Sequence, residues 1–127
     1  MTEGMLTTLQ ALHLWQKVLR RTLKDDSIDF SARQMAILLE VYLGQGPHSI
    51  KSLSGQLGIS KAAVCRAVDT LSMQGLLKRK KDEDDRRNVI LQRTVQGSVY
   101  LSDFADVIID ESASTMTAEP MPESIVA

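Results

Sequence analysis

SIKSLSGQLGISKAAVCRAVDTLSMQGLLKRKKDEDDRRNVILQR, residues 49–93, decides the fold. Ser49 has the chemistry of an N-cap, since its hydroxyl can satisfy a free N–H at a helix start. Ile50, Leu53 and Leu57 follow at helical spacing. Gly58 supplies a permissive backbone for a tight turn, and Ser60 caps the next helix. In that second helix Val64, Val68 and Leu71 fall on one face, widened by Ala63 and Ala67. Lys61, Ala62, Cys65, Arg66 and Asp69 are left outside. A helix with a small, polar and basic outer face, held by a short turn, suits major-groove reading. Gly75 ends it. Leu76 to Lys80 reads as a strand, Lys81 to Arg87 as a charged turn, and Asn88 to Arg93 as the returning strand. A hairpin with arginines at its tip, directly after such a helix, is a DNA-binding wing.

Four pieces of this region carry a family resemblance. They are Gln56-Leu57-Gly58-Ile59-Ser60, the run Val68-Asp69-Thr70-Leu71 leading to Gly75-Leu76, the triplet Asp85-Arg86-Arg87, and Thr94-Val95-Gln96-Gly97. Their order and spacing resemble the MarR family of bacterial winged helix-turn-helix regulators, over roughly residues 5–111. The resemblance implies a mainly α fold with a small β-hairpin, dimerising through its N- and C-terminal helices.

Working outward, Met5 to Lys24 is expected to be one long helix. Met5, Leu9, Leu12, Leu19 and Leu23 form a heptad-like seam, with Leu6, Leu14, Trp15 and Val18 partly beside it. An apolar stripe this wide exceeds the needs of one small domain and predicts a partner subunit; a single broad core face is the plainer reading. Asp25-Asp26-Ser27 should break the helix. Ser31 and Gln34 have capping-box form, and Met35, Leu38, Leu39 and Tyr42 continue as an amphipathic helix that Gly44-Gln45-Gly46-Pro47 terminates. The resemblance places a short strand at His48. Thr94 is expected to cap a last helix through about Glu111. Residues 1–46 thus serve dimerisation and support, 47–94 DNA, 95–112 dimerisation, and 113–127 form a mobile tail. The family's further long helix has no counterpart in this Ser-, Thr-, Met- and Pro-containing tail.

Composition excludes several classes. No apolar run approaches the roughly 20 residues of a membrane span. The N-terminus lacks a basic stretch followed by an apolar one, so export is not expected. The single cysteine fits a reducing cytoplasm. His13, His48 and Cys65 lack metal-ligand spacing, there is no phosphate loop, and no cofactor is expected. No nucleophile–base set suggests an enzyme. The net charge of −1 hides an uneven distribution. Residues 47–94 carry ten Lys/Arg against five Asp/Glu, residues 1–46 five of each, and residues 95–127 six acids and no base. The basic excess sits where phosphates would be met.

Contacts to DNA divide into positioning and specifying ones. Ser49, Ser52 and Ser60, near helix N-termini, are candidates to hold phosphates, or simply to cap. Lys61, Ala62, Cys65 and Arg66 would face base edges. Arg66 can pair bidentately with guanine, worth about 1–3 kcal/mol of discrimination, or stand as a solvated charge. By resemblance, Asp85 orients Arg87, which enters the minor groove, where a narrow groove concentrates negative potential; Arg86 goes to phosphate or groove. A charged tip that only blocks edge pairing is the plainer alternative. Asp82, Glu83 and Asp84 should turn outward or pair with Lys78, Arg79, Lys80 or Lys81. Cys65 is either a thiol switch on the reading helix or a small residue fitting the groove. The resemblance also implies a small aromatic effector; His13, Trp15, Arg20, Met35 and Tyr42 are candidates for its cleft, yet no constellation selects a ligand.

The expected function is that of a homodimeric, sequence-specific regulator of transcription, a cytoplasmic repressor that binds double-stranded DNA at a near-palindromic operator. The alternative is a winged-helix module that binds protein rather than specific DNA, suggested by the acidic wing tip and acidic C-terminal third.

Overall fold

A computed structural model describes residues 5–24 and 29–117. In order along the chain lie α1 (Thr8–Lys24), α2 (Ala32–Leu43), β1 (His48–Ser49), α3 (Ile50–Leu57), α4 (Lys61–Met73), β2 (Leu77–Lys81), β3 (Val89–Arg93) and α5 (Val95–Thr117). They divide into two units, one of residues 30–101 and one of residues 1–29 with 102–127.

The first unit is the winged helix. Its helices begin where their caps place them. Ser31 and Gln34 form the reciprocal capping box of α2, and Ser49 and Ser52 form another that opens α3. Gly58 adopts left-handed geometry at φ 68° and closes α3, and Ser60 caps α4 by accepting from Ala63 N at 3.1 Å. The strands are antiparallel in the order β1-β3-β2, with Leu77 opposite Arg93, Arg79 opposite Leu91, and His48 opposite Leu91 on the other edge. Ile37, Leu38, Val41, Leu53, Val64, Ala67, Val68, Leu71, Leu76, Leu77 and Leu91 form one buried cluster. All five apolar positions expected to point inward from α4 are in it or, for Ala63, buried beside it. Each strand starts one residue later than the sequence suggests: Leu76 N donates to Leu71 O, closing α4 before β2, and Asn88 N donates to Asp85 O within the turn before β3.

A hydroxyl ties this unit together. Tyr42 Oη, at the end of α2, donates to Leu76 O (2.7 Å) and accepts from Thr94 N (2.9 Å). Thr94 Oγ1 donates to Gly75 O (2.7 Å) and accepts from Gly97 N (2.9 Å), capping α5 as expected. A Cβ on Gly97 would overlap the Tyr42 hydroxyl, so only glycine fits. Arg93 adds a guanidinium 5.9 Å from the Tyr42 ring centroid and an Nε–H to Val41 O. Nearby, Phe30 meets Tyr100 edge-on at 5.6 Å, and burial pushes the Tyr100 phenol above its ordinary pKa.

In the other unit, α1 starts at Thr8 rather than Met5. Thr7 and Gln10 form a further reciprocal cap, Thr7 N to Gln10 Oε1 at 2.9 Å and Gln10 N to Thr7 Oγ1 at 3.1 Å. Arg21 of α1 pairs with Glu111 (3.2 Å) and Asp110 (3.5 Å) of α5. Helix α5 runs on to Thr117, beyond the expected end at 112, since Ser112 to Thr117 contains neither proline nor glycine to stop it. The expected break at 25–27, and the tail from 118 onward, lie outside the described residues. Of the α1 seam, Met5, Leu12, Leu19 and Leu23 are exposed, as is Trp15 beside it.

Replacing Tyr42 by Phe leaves the Thr94 N–H without its acceptor and should cost about 1–3 kcal/mol. Urea unfolding of Tyr42→Phe against wild type measures it; Gly97→Ala should cost at least as much through the overlap.

Candidate nucleic-acid interface

The outer face of α4 carries Lys61, Ala62 and Arg66 exposed, with Cys65 half-buried at its margin. Val64, Val68 and Leu71 are wholly enclosed; Ala62 and Arg66 lie about 160° round the helix from Val64 and Cys65 about 100°, whereas Lys61 is exposed because it opens the first turn. Small Ala62 and half-buried Cys65 keep this face low, which lets a helix sit deep in a major groove. Among the described residues the Arg66 guanidinium has no hydrogen-bond or ion-pair partner.

The three serines are all caps. Ser49 Oγ accepts from Ser52 N at 3.0 Å, Ser52 Oγ accepts from Ser49 N at 2.8 Å, and Ser60 Oγ accepts from Ala63 N. Ser52 also donates its hydroxyl proton to Ser49 O at 3.1 Å. Ser49 and Ser60 therefore keep a hydroxyl proton for an anion, whereas that of Ser52 is engaged.

At the wing, Asp85 Oδ1 accepts from Arg87 N at 3.1 Å and lies 3.4 Å from Arg87 Nε. The aspartate thus folds the turn and holds the Nε edge of the guanidinium, while the Arg87 side chain remains 94% exposed. Arg86 is exposed beside it. Asp82 Oδ1 accepts from Asp84 N at 3.0 Å, and Asn88 N donates to Asp85 O at 2.9 Å. So the acidic run builds the turn out of its own backbone, an Asx-type arrangement.

Pairing of these acids with Lys78, Arg79, Lys80 or Lys81 does not occur among the described residues. Arg79 instead pairs with Asp69 of α4 through Nη2 and Oδ1. Strand alternation explains it. Arg79 is two residues from buried Leu77 and opposite buried Leu91, so it leaves the sheet on the core side, toward α4. Lys78 and Lys80 leave on the other. The period-two pattern Leu77-x-Arg79 was the available signal.

The effector candidates in this unit are otherwise occupied: Tyr42 in the junction described above, and Met35 Sδ by the Tyr100 hydroxyl at 3.9 Å. Val41, Pro47, His48, Leu91 and Arg93 line a hollow of about 490 Å³ that includes none of the residues assigned to DNA.

A helix-turn-helix with an arginine-tipped hairpin is what the MarR family model matches, over residues 30–89. Through that region the chain matches the MarR family. It is 32% identical over 104 residues to the transcriptional repressor MprA of Escherichia coli K12, covering 78% of this chain and 57% of MprA. The chain thus spans a little over half the length of that curated relative. The transcriptional regulator Tm0710 of Thermotoga maritima superposes with a TM-score of 0.61 at 27% identity, over 84% of this chain and 69% of the other. A point mutant of S. aureus MepR, solved bound to an oligodeoxyribonucleotide, shares the fold with a TM-score of 0.74 at 20% identity, over 91% and 81%. Among the described residues, no helix is long and apolar enough to cross a membrane.

Asp85→Ala removes the acceptor of the Arg87 N–H. Amide hydrogen exchange should speed up at Arg87 and Asn88 while Leu91, inside the ladder, keeps its protection. Equal exchange at Arg87 in both proteins would remove the orienting role.

Proposed function

We propose that this MarR-family chain is a sequence-specific regulator of transcription, a repressor that binds double-stranded DNA as a homodimer in the bacterial cytoplasm, and not an enzyme. The observation that carries the reading is the exposed Arg66, without a side-chain partner among the described residues, on a low helix face of a fold whose wing carries the aspartate-held Arg87. Lys61, Ala62, Cys65 and Arg66 meet base edges, Ser49 and Ser60 hold phosphates together with the N–H groups of their helix starts, and Arg86 and Arg87 follow the groove at the wing. The basic balance of residues 47–94 supports it. So do the repressor role in the name of MprA and the oligodeoxyribonucleotide on the MepR mutant.

Dimerisation is supported by exposed apolar residues of α1, where Leu23 is 67% exposed and Trp15 54% on a helix with only Val18 buried, and by Met5 just before it, 67% exposed. Leaving this much apolar surface in water is unfavourable, and a second copy would cover it. Two copies related by a two-fold axis present two α4 helices about 34 Å apart, one turn of B-DNA, to a near-palindromic site.

Selection of duplexes from a random pool by the purified protein tests the reading. One enriched near-palindrome is the expected outcome; no duplex retained at low salt would leave a protein-binding module instead. On the selected duplex, Arg66→Ala should relax preference at one base pair by about 1–3 kcal/mol. Arg87→Ala should weaken binding to all sequences and reduce the slope of log K against log salt by about 1.

A further inference from the structure

Asp69 is a difficulty for a DNA-reading helix. It lies three residues beyond Arg66, on the same exposed face, and its side chain is 56% exposed. Residues at i and i+3 on a helix are neighbours, and opposite charges there attract. Left alone, the carboxylate would do two things harmful to binding. It would draw the Arg66 guanidinium down onto the helix, away from base edges, and it would present a negative charge to phosphates. The first effect alone is small, about twofold in the availability of Arg66. The second is larger, since juxtaposed like charges oppose association strongly.

Arg79 removes both. Its guanidinium, sent toward α4 by the alternation of β2, takes the carboxylate of Asp69, and the Arg66 guanidinium is left without a partner among the described residues. The pair is half-exposed on both sides, 42% for Arg79, so it adds little to the stability of the fold. Its consequence lies elsewhere. We infer that Arg79 is a positioning residue for Arg66, acting through Asp69: by neutralising that carboxylate it keeps the specifying arginine free and the face of α4 positive. The inference rests on the DNA-binding reading above. It makes one side of the wing part of the reading helix's electrostatics, with no contact between Arg79 and a base.

The test uses the full chain and two probes, the duplex obtained by selection and a mixed-sequence duplex of equal length. Arg79→Gln should melt like the wild type and weaken binding to the selected duplex by roughly tenfold. Adding Asp69→Asn should restore affinity to within about threefold, because the charge that Arg79 masks is then gone. In an Arg66→Ala background, Arg79→Gln should lower the preference for the selected over the mixed duplex no further. An Arg79→Gln protein of unchanged affinity overturns the inference. So does a loss that Asp69→Asn does not restore, which would mean that Arg79 touches the DNA itself. If the wild type binds neither probe, the DNA-binding reading falls and this inference with it; if it binds both and only the rescue fails, the reading stands and the inference alone is lost.

Discussion

The winged-helix unit depends on one phenolic hydroxyl. Tyr42 reaches from the end of α2 to the carbonyl that begins β2 and to the N–H that follows β3. Three elements distant in sequence are thereby held at a single atom. Local hydrogen bonds form α2 and the hairpin separately; the hydroxyl sets where the hairpin stands against the helix. The requirement extends to Gly97, whose missing side chain makes the room, and to Thr94, whose hydroxyl joins Gly75 to the first turn of α5. A buried polar group of this kind is stabilising only when all its partners are in place. The wing is therefore positioned by a short-range, all-or-none constraint rather than by its own two strands, which as an isolated hairpin would be marginal.

Given that placement, charge is sorted by geometry. The strand period sends Arg79 inward to α4 and Lys78 and Lys80 outward, and the wing tip folds its carboxylates onto backbone N–H groups. In a run that reads as alternating blocks of base and acid, Asp82 and Asp85 are thus engaged by the N–H groups of the turn, while Lys78 and Lys80 leave the far side of the sheet. Net charge near zero for the chain is compatible with a locally positive face, because ten of its fifteen Lys and Arg fall within residues 47–94.

Much of this was legible in the residues. The caps at Ser31, Ser49 and Ser60, the turn at Gly58, the inward face of α4 and the hairpin all follow from short-range signals that need no tertiary context. The cap at Thr7 carried the same signal, Thr-x-x-Gln, masked by apolar Met5 and Leu6 that extend the helical pattern past the true start. What sequence did not show was long-range. Tyr42 looks like an ordinary amphipathic-helix residue until Leu76 and Thr94, 34 and 52 positions away, arrive at its hydroxyl. Asp69 and Arg79, ten apart, are separated by a turn whose geometry the residue types alone do not specify.

The same division bears on how such a protein changes specificity. Under the proposed reading, the residues that would meet bases lie on an exposed helix face, where substitution disturbs little else. Residues proposed to govern whether those side chains are available, Arg79 through Asp69 and Tyr42 through the wing, belong to the framework. On that reading a change of operator would need only Lys61, Ala62, Cys65 or Arg66 to vary. A change in how firmly any operator is held can come from the framework without one base contact being altered.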